Sequence, residues 1–207
     1  MKERPILFST EMVRAILEGR KTMTRRIMQK QPTMKHKFKY ICKEKTKGWG
    51  ALFEWLTDGM TLHEHFKSPY GTIGDVLWVR ETWAEFQGLE DAPTCYVYKA
   101  DGTWDDKVHL IDNKWKPSIF MPRSASRISL RITNIRVERL NDITEEDAVR
   151  EGVEPLENGY KQYIRTRLDK VTEYASYSFM TLWESINGKG SWEKNPWVWV
   201  IEFEAIK

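Results

Sequence analysis

Residues 196–206 form a nearly continuous run of aromatic and aliphatic side chains, with Trp197, Val198, Trp199, Val200, Ile201 and Phe203 at its heart. A strand of this kind has no face to offer to water. It belongs at the middle of a sheet or barrel, with neighbours on both sides. Ile128, Leu130 and Ile132 alternate with polar residues, and Ile135 and Val137 alternate in the opposite phase. That slip predicts a strand with one extra residue, a bulge, around Asn134.

Several further strands and helices surround these two. Residues 5–8 read as a short buried strand. Ser9 follows as an N-cap with Glu11 in the first turn, and Met12, Val13, Ile16 and Leu17 share one helical face. A helix over about 10–19 is expected, stopped by Gly19. Residues 21–27 read as a strand whose Thr22, Thr24 and Arg26 share a wholly polar face, which means solvent or a ligand cleft. Gly74-Asp75 turns into a strand over 76–83, and 94–99 with 107–111 read as a strand pair. Residues 116–122 read as a rigid extended connector.

Thr144-x-x-Asp147 caps a short helix ending at Gly152. Val171, Ala175, Phe179, Leu182, Trp183 and Ile186 mark an amphipathic helix closed by Asn187-Gly188. Residues 28–72 read as an insertion or long loop with one short hairpin, and 153–168 as a second loop. Strands dispersed along the chain with two to three helices between them predict an α+β fold around a small, partly closed β-barrel. At 207 residues, a single domain over 1–207 carries the two insertions.

Composition excludes several classes. No apolar run approaches the roughly 20 residues of a membrane helix, and the first residues lack the apolar stretch of a signal peptide. Cys42 and Cys95 stand alone, with no CxxC or Cys/His cluster, so neither a disulfide framework nor a zinc site is expected. His63-Glu64-His65 has no third ligand in view. A reducing cytoplasm fits best, and no cofactor motif is present.

The net charge of +3 hides an asymmetry. Residues 1–48 hold 14 Lys or Arg and 4 Asp or Glu, a net of +10, which leaves −7 for the remainder. A polyanion near the N-terminal segment is one reading; a solvated lysine-rich loop is the plainer one for 35–47.

Three constellations could carry chemistry. In Gly19–Arg26, lysine and arginine can hold a phosphate or an oxyanion, and a threonine hydroxyl can attack. The plain alternative is a helix end decorated with favourable cations. Glu151, the last residue of the short helix, sits where a carboxylate is electrostatically disfavoured. Trp78 and Arg80 share one strand face, and Glu81 and Trp83 the other. They could sandwich a base or simply fill a core around an ion pair.

Gly19-x-Lys21-x-x-Thr24-x-Arg26 directly after an N-terminal helix, the 74–75 turn into a strand, and the closing Val198-Trp199-Val200-Ile201-Glu202-Phe203 together resemble the ASCH family, a branch of the PUA-like barrels. Trp115-Lys116-Pro117-Ser118-Ile119 and Met121-Pro122-Arg123 resemble a subgroup found in phages and prophages, in which His and Trp are commoner at the places of Phe120 and Ser124. The resemblance covers most of the chain outside 28–72 and 153–168. It implies a cleft beside the barrel that binds RNA or a modified nucleoside.

One compact bacterial branch, about half this chain's length, hydrolyses the acyl amide of N4-acetylcytidine with a lysine, a threonine and a glutamate. By residue type these match Lys21, Thr24 and Glu151. The resemblance thus implies an amidohydrolase with those three residues as its catalytic set. Arg25, Arg26, Trp78, Arg80, Glu81, Trp83 and Arg123 are the residues expected at substrate or nucleic acid. A non-catalytic RNA-binding module is the alternative, and a ribonuclease the third option, with no carboxylate cluster for a metal. One geometric condition applies. Lys21 and Thr24 differ by an odd number, so they converge only if Lys21 belongs to the turn after Gly19 rather than to the strand.

Overall fold

The computed structural model describes residues 1–33, 36–45, 48–86, 95–102, 114–164 and 171–206. The chain opens with β1 (Glu3–Leu7), α1 (Thr10–Leu17) and β2 (Met23–Ile27). Then come β3 (Lys37–Glu44), β4 (Gly48–Thr57) and β5 (Met60–Lys67), followed by β6 (Val76–Arg80), β7 (Trp83–Phe86) and β8 (Cys95–Tyr98). The long β9 (Ser129–Arg139) leads to α2 (Glu145–Arg150) and three short strands, β10 (Pro155–Leu156), β11 (Gly159–Lys161) and β12 (Val171–Thr172). The described chain closes with α3 (Ala175–Asn187) and β13 (Trp197–Ile206).

The fold is α+β, mostly strand. Its main sheet runs β1-β6-β9-β13-β2, antiparallel except for the parallel pair β1 and β6. The apolar closing strand lies between β9 and β2, and Val198, Trp199, Val200 and Ile201 are all buried, as a strand without a polar face requires. The expected bulge is present in β9. Glu202 pairs with Asn134 and Phe203 with Ile132, which leaves Thr133 as the extra residue. The sheet ends at β1 and β2, and among the described residues no ladder joins these two edges. No described helix is long and apolar enough to cross a membrane.

Local chemistry sets the helix ends. The Ser9 hydroxyl accepts from the Met12 N–H (3.4 Å), and the Thr144 hydroxyl accepts from the Asp147 N–H (3.1 Å). Glu145, in the first turn of α2, also reaches across to cap α3, accepting from the Ala175 N–H at 2.7 Å. This contact fastens the two helices together.

Four expectations are corrected. Residues 37–67 form a three-stranded antiparallel sheet instead of a loop with one hairpin. In β4, Ala51 and Phe53 alternate inward, and Phe53 packs edge-on against Phe38, Phe66 and Trp197. Asp58 and Gly59, at φ +47° and +78°, make the two-residue turn from β4 to β5. The 76–83 strand breaks at Glu81, so Trp83 belongs to a separate β7–β8 ladder. Residues 118–125 fold into two 3-10 turns instead of an extended connector. The amphipathic helix begins at Ala175, while Val171 pairs with Lys161 in the small β10-β11-β12 sheet. The strand expected over 107–111 lies outside the described residues.

The added sheet shares one apolar cluster with the main sheet, through Ala51, Phe53 and Phe66. Phe53→Ala is therefore expected to destabilise the whole molecule by about 3–5 kcal/mol. A urea titration followed by tryptophan fluorescence and by circular dichroism should show one shifted transition. Two separate transitions would mean that the added sheet folds apart from the rest.

Candidate active site

Lys21 lies before β2, in the turn that follows α1. Its backbone N–H donates to Ala15 O (2.9 Å), and the next N–H, of Thr22, donates to Arg150 O (2.9 Å). The last turns of α1 and α2 are thereby stitched to one short segment. Gly152, at φ +85°, makes this approach possible. A Cβ there would stand 2.7 Å from Lys21 Cβ and 2.9 Å from Ala15 Cβ. The condition for Lys21 and Thr24 to converge is thus met, and Glu151, the C-cap of α2, is delivered to the same place.

Lys21 Nζ donates to Glu151 Oε2 (2.9 Å) and to the Glu151 carbonyl oxygen (2.7 Å). The two side chains are 2% and 3% exposed, so the charges face each other with almost no water between them. Burial pushes the Lys21 ammonium below the ordinary lysine value, and Glu151 pulls the other way. On its far side, Glu151 Oε1 accepts from Arg25 Nη1 (3.2 Å).

Arg25 also donates to Asp147 Oδ2 (2.6 Å) and to Glu138. Arg136 and Arg150 extend this network to Glu202. Four cations (Lys21, Arg25, Arg136, Arg150) thus balance four carboxylates (Glu138, Asp147, Glu151, Glu202). Arg25, expected at substrate or nucleic acid, lines the same cavity as Lys21 and Glu151, and its side chain is 0% exposed and holds three carboxylates.

Of this network, Lys21, Arg25 and Glu151 form one wall of this cavity of about 450 Å³. It opens at the seam between the edge strands β1 and β2. Thr24 lines it beside Lys21 and Glu151, and the Thr24 hydroxyl makes no hydrogen bond with a described residue. Arg26 spans the seam, donating to Leu7 O (2.5 Å) while its guanidinium lies 5.0 Å from the centre of the Phe8 ring.

The rest of the lining was not singled out from the sequence. Phe8, Tyr70, Phe179 and Trp183 supply aromatic surface. Burial raises the Tyr70 phenol above its ordinary value against the pull of Arg26, so it remains an O–H donor at neutral pH. Trp183, expected on the apolar face of an amphipathic helix, is both buried and part of the cavity wall. The wall can hold a flat, weakly polar group beside a lysine, a carboxylate and a free hydroxyl.

The other residues expected at substrate lie elsewhere. Glu81 is buried and held by both guanidinium arms of Arg127 (3.0 and 3.1 Å); burial raises its carboxyl, and Arg127 opposes this. Trp83 sits in a small separate core with Met121 and Ala125. Trp78 is half-buried, with the guanidinium of Arg80 5.5 Å and that of Arg123 5.9 Å from its ring centre. Arg80 donates to Ile119 O, and Arg123 pairs with Glu3 at 2.9 Å. These three form a surface patch that does not line the cavity. Among the described residues, no group of three or more His, Cys, Asp or Glu is arranged to hold a metal ion.

Glu151→Leu leaves the Lys21 ammonium buried without a carboxylate. The variant is expected to lose about 3–5 kcal/mol in urea unfolding at neutral pH. Because Lys21 holds its proton less tightly folded than unfolded, the unfolded chain binds more protons between the folded value and 10.5. Stability then rises with pH in that window, and the loss shrinks as the pH is raised toward 10.5. A loss independent of pH would refute this.

No family model matches the chain, and no curated protein or solved structure matches it.

Proposed function

We propose that the chain is an ASCH-type, PUA-like domain whose seam cleft hydrolyses an acyl amide carried on a nucleobase, of the N4-acylcytidine kind. The observation that carries this reading is the convergence of Lys21, Thr24 and Glu151 on one cavity, with Lys21 Nζ 2.9 Å from Glu151 Oε2. The aromatic lining suits a planar base, and an open seam between β1 and β2 is compatible with a partly closed barrel.

The chemistry follows from the roles these groups can take. The Thr24 oxygen attacks the amide carbonyl carbon while Glu151 accepts the hydroxyl proton. The Lys21 ammonium faces the negative charge that develops on the carbonyl oxygen. When the C–N bond breaks, the exocyclic amine of the base leaves with the proton held by Glu151. Water then cleaves the threonine ester by the same route, releasing the carboxylic acid and restoring the hydroxyl. Arg25 acts as a positioning residue, because it holds the second oxygen of Glu151 and touches no cavity-bound atom in this scheme.

Incubation with N4-acetylcytidine, followed by chromatography for cytidine, tests the reading. Wild type should turn over, and Thr24→Ala and Lys21→Ala should each lose at least about a hundredfold. The rate should fall on the alkaline side with a midpoint below 10.5, since burial lowers the Lys21 ammonium and the mechanism needs it protonated. Binding of the nucleoside without turnover by wild type would replace the enzyme with a binding module.

A further inference from the structure

A second concave site lies apart from the cleft. A groove of about 650 Å³ runs between the added β3-β4-β5 sheet and the β1 side of the main sheet. Lys2, Arg4, Lys43, Lys45 and Lys67 line it, and none of the five pairs with a carboxylate of a described residue. Several other surface cations are paired. Lys30, Lys39, Arg123, Arg131 and Lys161 each hold a glutamate.

The one acid among the described lining residues, Asp75, is already engaged by the backbone N–H groups of Lys2 (2.8 Å) and Thr72 (3.3 Å). The Arg4 Nε is buried without a hydrogen-bond partner. Unpaired like charges gathered in a concave surface repel one another, and they focus a positive field outward. Their arrangement matches a chain of phosphates, which a positively charged groove can track.

Trp49 adds a stacking surface. It stands opposite Lys43 in the β3–β4 register, so the two side chains share one face. By alternation, Ala51 and Phe53 lie on that face too, and both are fully buried. Trp49 continues the same row past the edge of the core, and it is 39% exposed where it lines the groove.

The groove and the cleft are neighbours. Arg4 lines the groove and Leu7 the cleft, three residues or about 10 Å apart along β1. Tyr70 faces the cleft, while Gly71 and Thr72 line the groove.

We propose that this groove binds the phosphate backbone of a single-stranded polynucleotide, with Trp49 stacking on an unpaired base, so that the cleft acts on a modified base within a strand. The second half of this statement rests on the proposed amide hydrolysis; the binding itself does not. The seat is built by the 37–67 sheet, and the excess charge of the N-terminal segment finds its use there.

The test is fluorescence anisotropy with a dye-labelled oligouridylate of about twelve nucleotides, over a range of salt concentrations. Replacing Lys2, Lys43, Lys45 and Lys67 together by Ala should weaken binding at least about tenfold and reduce the slope of log Kd against log salt by about 3. Replacing the same four by Arg should restore the affinity. Trp49→Ala should cost about tenfold and leave the slope unchanged.

Free N4-acetylcytidine should be hydrolysed equally by wild type and the four-alanine variant, and the same base within an oligonucleotide more slowly by the variant. Should wild type hydrolyse neither, the amide chemistry fails while the anisotropy still decides the groove. Equal oligonucleotide binding by wild type and the four-alanine variant overturns the proposal. So does retention of wild type on phosphatidylserine vesicles that the oligonucleotide does not displace, which would make the groove a lipid site.

Discussion

A buried ion pair between Lys21 and Glu151 holds the cleft in place. Two charges withdrawn from water are tolerated only when geometry and further hydrogen bonds compensate for lost hydration. Here the compensation comes from the Glu151 carbonyl oxygen on one side and the Arg25 guanidinium on the other. Arg25 hands the constraint on to Glu138 in β9 and Asp147 in α2, so the pair is tied to the middle of the main sheet. A lysine fixed in this way cannot swing aside. It lines the cavity in a defined orientation.

The seam follows from the sheet order. β1 and β2 are separated in the chain only by α1, yet they are the two outer edges of a five-stranded sheet. The helix between them covers the gap without sealing it, and the gap is where the cavity opens. The residues on either lip, Leu7 and Phe8 on one side and Thr24 and Arg26 on the other, meet through a single side-chain hydrogen bond from Arg26. An unpaired strand edge is a liability on an open surface, but here it becomes the mouth of a site.

Much of this was readable from the residues. The apolar closing strand, the phase slip at β9, and the Ser9 and Thr144 caps each depend on local pattern, and each is found. Lys21, Thr24 and Glu151 are singled out as a set only through the family resemblance, and the approach of Lys21 to Glu151 depends on Gly152 touching Lys21, a contact between positions 131 residues apart. The aromatic half of the wall was harder. Phe179 and Trp183 carry the same helical signature whether they face a core or a cavity.

The ion pairs of Arg25 are not legible in the sequence, because nothing local announces Glu138, Asp147 and Glu151 as its partners. The three-stranded sheet was missed for another reason. Lysines take three of the four exposed positions of β3, although Asp58-Gly59 between two runs is a hairpin signal in its own right.

The place of β13 also bears on how the molecule is made. Among the described residues β2 pairs with β13 alone, and β13 follows every other described element in the chain. During synthesis, the strand carrying Thr24 and Arg25 has no ladder to join until residues 197–206 have left the ribosome. The strand that carries Thr24 is therefore fixed late, by the longest-range strand pairing among the described residues, while the contacts of Lys21 with α1 and α2 involve only residues that precede β13.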